Sequence, residues 1–203
     1  MGKDALQANT TAGNNTALGY QAMLDNTTGA GNVAVGRNAL DANTTAANNV
    51  AIGSLCMHDN TTGPSNVAIG MSALSNNTTA GNNTAVGFEA MKANTTGGNN
   101  VAIGKLALDG STTGSNNCAV GYNAMSASTT GSDNTVLGTS SGFNVSSGSN
   151  NTLLGHDSGR SGSPGGTITS QSNQFNVGDE NITEANIQVD WTVASDQRDK
   201  TDF

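Results

Sequence analysis

The stretch NNVAIG at residues 48–53 decides the fold, because close copies of it recur along most of the chain. The glycine that closes each copy returns every 17 residues, without insertion, at Gly2, Gly19, Gly36, Gly53, Gly70, Gly87, Gly104, Gly121, Gly138 and Gly155. A short repeat that cannot bury its own apolar residues can bury them against the next copy. The exact period therefore predicts a solenoid in which each repeat forms one rung.

Within each rung we number positions from the glycine, which is position 0. Positions 3 and 4 are a small residue followed by Leu or Met in eight rungs, and positions 7–9 read Asn-Thr-Thr, with Ser for Asn at Ser111 and Ser128. Position 13 is Asn nine times, position 15 is Ala from Ala17 to Ala119, and position 16 is Leu, Val or Ile. Positions 13–16 are typical of a short strand bounded by Gly and Asn. The pair at positions 3 and 4 predicts a second short extended segment, and the Asn and Gly clusters predict turns.

These features predict an all-β fold, a parallel β-solenoid or β-roll of 17-residue rungs. At about 4.8 Å per rung, nine rungs would span about 43 Å. We expect the apolar residue at position 16 to form a ladder inside the coil and Asn at position 13 to form an amide ladder. Neighbouring strand residues point to opposite faces, so Ala at position 15 would then point outward. A small apolar residue on the outer face predicts close approach of another chain in a closed, cyclic homo-oligomer.

Composition excludes several classes of function. The formal net charge is −8, the sequence pI is about 4.3, and only 34% of residues are hydrophobic. The chain lacks the basic stripe of a nucleic-acid-binding protein and the run of about 20 apolar residues of a membrane span. Cys56 and Cys118 lie three to four rungs apart, about 14–19 Å, which is too far for a disulfide. We therefore expect no nucleic acid partner, no membrane insertion and two free thiols.

The repeat pattern also predicts the domain boundaries. Residues 1–155 form the repeat shaft, and residues 156–166 are a loop insertion, because the next Val-Gly pair arrives six residues late. Residues 167–194 alternate apolar and polar residues, which predicts a β-rich neck with Trp191 as its packing anchor. Residues 195–203 follow this neck.

The segment SDQRDK at residues 195–200 resembles the junction that opens the endosialidase-type intramolecular chaperone of many bacteriophage tail fibres and tailspikes. This resemblance implies that Ser195 and Asp196 form an autocleavage junction, with Arg198 and Lys200 as the basic residues beyond it. Residues 195–203 would then begin a chaperone domain that is truncated here. In that family the chaperone trimerises the fibre and then cuts itself off, and the truncated segment should not cleave itself.

The Asn/Gly/Thr repeat is similar to the shafts that precede such chaperones and to the heads of trimeric autotransporter adhesins. The adhesin repeat is usually shorter than the 17 residues found here. Both resemblances imply a homotrimer. The chaperone resemblance implies a structural fibre protein of the virion, with a host-attachment role and with other tail proteins and a host cell-surface glycan as partners. A bacterial surface adhesin is the alternative, and an ice-binding solenoid is a weaker one.

No enzyme site for an external substrate is expected. The two histidines, His58 and His156, are not part of a Ser-His-Asp set, and the turns hold few carboxylates for a metal. We expect no metal and no cofactor. Receptor contacts should lie where the repeat varies, at the residue after each glycine and in the 156–166 loop. The candidates are Tyr20, Arg37, Met71, Phe88, Lys105, Tyr122 and His156.

Overall fold

The structure, a computed structural model, describes residues 2–184 as an all-β parallel solenoid. Ten strands of three residues each form one sheet, in which every strand pairs in parallel with the next along the chain. They are β1 (Thr16–Leu18), β2 (Val33–Val35), β3 (Val50–Ile52), β4 (Val67–Ile69), β5 (Thr84–Val86), β6 (Val101–Ile103), β7 (Cys118–Val120), β8 (Thr135–Leu137), β9 (Thr152–Leu154) and β10 (Phe175–Val177). Among residues 2–184 there is no helix long and apolar enough to cross a membrane.

Equivalent residues of successive rungs lie directly over one another. Val35 pairs with Ile52, and Ile52 pairs with Ile69, so the strand register follows the sequence repeat. The same register continues through all strand pairs up to β9 and β10, where the spacing in sequence rises from 17 to 23 residues. The predicted parallel β-solenoid of 17-residue rungs is thus confirmed.

The predicted orientation of the strand is wrong. Ala at position 15 points into the coil and is fully buried in most rungs, whereas position 16 points outward, with Ile69 39% exposed. The large buried side chain comes instead from position 4, where Met57 and Leu74 are fully buried. These Leu and Met side chains occupy the narrow interior, and only a methyl group fits opposite them.

The predicted second extended segment is also absent, because positions 2 and 4 adopt left-handed backbone conformations. Leu55 has φ of 58° and Met57 has φ of 48°. The segment still forms a hydrogen-bonded ladder: the Met23 amide donates to the Ala39 carbonyl at 3.0 Å, and the Asn38 amide donates to the Tyr20 carbonyl at 2.9 Å. Left-handed conformations are unfavourable for Leu and Met, so burial and these rung-to-rung bonds must stabilise them.

The glycine at position 0 is required by two features of the turn. Gly53 has φ of 140°, which side chains rarely adopt, and an added Cβ would collide with the backbone carbonyl of Gly70. The same geometry recurs in successive rungs, which explains why the glycine keeps its phase.

Two columns of asparagine connect the rungs. At position 13, the backbone amide of Asn66 donates to Asn49 Oδ1 at 2.8 Å, and Asn49 Nδ2 donates to the Gly63 carbonyl at 3.0 Å. The predicted ladder at this position therefore exists, but it joins side chains mainly to backbone. The direct amide-to-amide ladder lies at position 7, where Asn77 Nδ2 donates to Asn60 Oδ1 at 2.7 Å.

The last rungs keep the core volume while exchanging the residues that fill it. Position 4 becomes Gly142 and then Gly159, which leaves the interior without its large side chain. Leu153 at position 15 fills this space together with Val145 at position 7 and Ile168, which stacks at the equivalent of position 7 after the six-residue insertion; all three are buried. Because the sheet runs on to β10, it extends beyond the predicted shaft end at residue 155. Most of the predicted neck, including Trp191, lies outside the described residues.

Candidate functional site

The outer surface of the sheet is a largely apolar surface that runs along all ten strands. We call it the sheet face and define it as the first and third residues of each of the ten strands, which correspond to positions 14 and 16 of the rung. Position 14 holds only Thr, Val, Cys and Phe, and position 16 holds only Leu, Val and Ile, so the sheet face contains no charged residue. Its most exposed large side chains are Leu18, Ile52, Ile69, Ile103, Leu137, Phe175 and Val177.

Such a surface is unusual for a chain that acts alone. Contiguous exposed apolar patches mark interaction sites, and a sheet with apolar residues on both faces is typical of one that is covered on both sides. Here Leu and Met at position 4 cover the inner face, which carries Ala at position 15, whereas the residues of the outer face are half-buried or exposed. The sequence predicted two apolar faces but assigned them in the reverse order.

The candidate receptor residues stand in one column beside the sheet face, because each follows the position-0 glycine. Phe88 and Tyr122 lie two rungs apart, and the Lys105 ammonium group lies between them, 5.7 Å from each ring centroid. This spacing fits a cation–π contact on both sides of the lysine. Tyr20 and Arg37 occupy adjacent rungs nearer the start of the column. The structure therefore aligns these candidates but directly connects only Phe88 and Tyr122, through Lys105.

His156 lies at the far end of this column in a small charged cluster. Its Nδ1 is 3.1 Å from Asp179 Oδ2, and Arg160 Nη1 donates to Asp157 Oδ1 at 2.6 Å. The pKa of the Asp179 carboxyl is lowered, first by the hydrogen bond from the Asn181 amide and then by His156. The cluster joins the 156–166 loop to the turn after β10.

His58, the other histidine of the chain, lies between two carboxylates. His58 Nδ1 is 2.6 Å from Asp59 Oδ1, and its Nε2 is 3.5 Å from Asp41 Oδ2, so both ring nitrogens face carboxylates. Within residues 2–184, no three His, Cys, Asp or Glu side chains are placed to hold a metal ion.

The two cysteines occupy different environments, and both are free thiols. Cys56 at position 3 is fully buried inside the coil, whereas Cys118 at position 14 is partly exposed on the sheet face. They therefore report separately on the interior and on the outer surface of the sheet.

The threonine pairs form two columns, of which one bonds through its hydroxyls to the backbone of the next rung. The Thr61 hydroxyl at position 8 donates to the Thr78 carbonyl at 3.0 Å, and equivalent bonds recur in neighbouring rungs. Thr62 at position 9 is exposed. The hydroxyl of only one threonine of each pair therefore takes part in the ladder to the backbone.

The predicted junction of Ser195 and Asp196 lies outside the described residues, as do Arg198 and Lys200. Comparison of the chain with protein-family models, with curated proteins and with solved structures finds no match.

Proposed function

We propose that this chain is the shaft of a homotrimeric bacteriophage tail fibre that takes part in host attachment. The observation that carries the proposal is the uncharged sheet face, which runs along all ten strands and is uncovered in the single chain. In the trimer, the sheet faces of three parallel copies meet around a common axis.

A second and third copy are the occupants that best fit this surface. The sheet face repeats with the 17-residue period of the chain, and only a partner with the same axial spacing can match every rung. Another copy of this chain has the same spacing because it has the same repeat. Cyclic symmetry then closes the assembly and leaves no apolar strip exposed to further, open-ended association.

The number three and the phage assignment come from the sequence resemblances. The SDQRDK segment at residues 195–200 supports a fibre folded by a C-terminal chaperone that cleaves itself at Ser195 and Asp196. A trimeric bacterial adhesin head would bury the same face, but the 17-residue repeat favours the fibre. The shaft acts mechanically, because each rung adds another set of hydrogen bonds directed along the fibre axis.

The molar mass in solution tests this proposal. Light scattering on residues 1–203 should give three times the chain mass of 20.2 kDa. Ile69→Glu places a charge in the middle of the sheet face and should shift the mass towards that of one chain, because an unpaired buried charge is strongly unfavourable. Thr62→Glu, at an exposed position outside the sheet face, is the matched control and should remain trimeric. A wild-type mass of one chain would contradict the proposal.

A further inference from the structure

A cleft of about 310 Å³, lined by both apolar and polar groups, opens across the fourth, fifth and sixth rungs. Its floor is formed by Ser72 and Ser75, at positions 2 and 5, which are small and almost fully buried. At position 5 the preceding rung carries His58 and the following rung carries Lys92, and these longer side chains form the opposing walls. The cleft therefore forms because small serines occupy both position 2 and position 5 of one rung.

The cleft faces away from the sheet. Position 3 packs across the core from the strand, because Cys56 Sγ donates to the carbonyl of Ala68 in β4 at 3.1 Å. Positions 2 and 5, which line the cleft, belong to the same segment as Cys56. A trimer that buries the sheet face would consequently leave the cleft on its outer surface.

The charges around the cleft select against an anionic ligand. Lys92 is its one lysine, and the Lys92 ammonium already pairs with Glu89 at 2.9 Å. His58 faces the carboxylates of Asp59 and Asp41. The carboxylates of Asp41, Asp59 and Glu89 thus lie at or beside the cleft with a single ammonium group, and this excess of negative charge disfavours a carboxylate, sulfate or phosphate group on the ligand.

The remaining groups suit an uncharged, hydroxyl-rich molecule. Asp59 offers acceptors, Lys92 offers donors, and the Asn76 side chain offers both. Leu55 supplies an apolar wall against which C–H groups can pack. An apolar surface with a few convergent polar groups is the usual composition of a small-molecule site, and this volume lies at the lower end of the range for such sites.

We propose that this cleft binds one uncharged sugar unit of a cell-surface glycan. The inference rests on the proposed function in one respect, since the glycan would be the receptor of the fibre. It assigns the contact to the cleft rather than to the column of Tyr20, Arg37, Phe88, Tyr122 and His156.

Nuclear magnetic resonance of the histidine side chains tests this assignment on the assembled chain. The chain has two histidines, so His58 reports on the cleft and His156 serves as an internal reference outside it. The probes are glucose, galactose, mannose and N-acetylglucosamine, each added separately, with N-acetylneuraminic acid as the anionic comparison. We expect at least one neutral sugar to shift the His58 signals and leave His156 unchanged.

A matched pair of variants locates the binding. Ser75→Phe fills the cleft with a residue that Phe143 already provides at position 5 of another rung, so the rung should still fold. Ser126→Phe makes the same change at position 5 of a rung outside the cleft. The His58 response should disappear in the first variant and persist in the second. The proposal is overturned by no His58 shift with any neutral sugar, by equal shifts of both histidines, by equal effects of the two variants, or by a response only to N-acetylneuraminic acid.

The same samples separate this inference from the proposed function. A trimeric mass without any sugar response would reject the cleft and leave the trimeric shaft intact. A specific sugar response from a monomeric chain would support the cleft and reject the trimeric shaft.

Discussion

The interior of each rung holds only a few side chains, and Cys56 shows how burial there changes the acidity and reactivity of a side chain. Its thiol donates to the Ala68 carbonyl at 3.1 Å and is fully buried. Burial raises the pKa of the Cys56 thiol to about 12, and the hydrogen bond from the Ile52 backbone only partly opposes this increase. The thiolate is the reactive form of cysteine, so Cys56 should be inert in the folded chain.

The raised pKa predicts a loss of stability at alkaline pH. Between the ordinary value of 9.0 and about 12, the unfolded chain releases the Cys56 proton while the folded chain keeps it. The free energy of unfolding should therefore fall as pH rises through this window, and the stabilising contribution is complete below pH 9.0. Urea unfolding at several pH values measures the effect.

Cys56→Ala is the control for this pH dependence, because Ala occupies position 3 in most other rungs. As pH rises from 9.0 to about 12, the free energy of unfolding should fall less for the variant than for the wild type. Identical alkaline slopes for the two proteins would show that the Cys56 thiol does not contribute.

At the scale of the element, the position-7 asparagines form a ladder whose end is defective. Asn94 Nδ2 donates to Asn77 Oδ1 at 2.9 Å, but the next rung carries Ser111 in place of asparagine. Asn94 Oδ1 and Ser111 Oγ are both buried and have no hydrogen-bond partner within the described part of the chain. An unsatisfied buried polar atom destabilises the fold.

Ser111→Asn should repair this defect by donating to Asn94 Oδ1 and to the position-10 carbonyl of its own rung. We expect the free energy of unfolding to rise by about 1 kcal/mol, the usual net value of a buried hydrogen bond. Asn77→Ser introduces the same defect within the run from Asn60 to Asn94, where successive asparagines are hydrogen-bonded, and should lower the free energy of unfolding by a similar or larger amount. Urea midpoints that move in the same direction for both variants would contradict the role of the ladder.

The strand illustrates what a repeat can and cannot predict. Period, register and strand position follow from the sequence, because only stacking explains ten glycines in phase. The inward face did not follow from alternation alone, which identifies two faces but not which one is inside. The unforeseen feature was the left-handed backbone at positions 2 and 4, which turns Leu and Met into the core. The sequence does contain a signal for the inward face. Position 15 carries the larger residues Val136 and Leu153 near the rungs in which position 4 is reduced to Gly142 and Gly159, as expected if both positions share one core.

For the candidate sites as well, the repeat predicts which residues align but not which side chains face outward or form a cleft. The column of Tyr20, Arg37, Phe88, Tyr122 and His156 was predictable, because residues at one repeat position must align. The cleft was not predictable, since it depends on small residues at two separate columns and on walls supplied by the rungs on either side. The sheet face required knowledge of which strand residues point outward.

At the scale of the whole molecule, the account depends on the sheet face being covered by other copies. Cys118 lies on this face at position 14 and is partly exposed in the single chain, whereas Cys56 is fully buried within the coil. In the trimer both thiols should be protected from a water-soluble reagent. In monomeric Ile69→Glu, Cys118 should react and Cys56 should remain protected.

The most direct test is therefore the rate at which Cys118 reacts with such a reagent in the native, unmodified chain. We predict that Cys118 reacts as slowly as Cys56 until the protein is unfolded. Rapid reaction of Cys118 in the native protein, with Cys56 still protected, would show that the sheet face is open to solvent and would contradict the trimeric shaft.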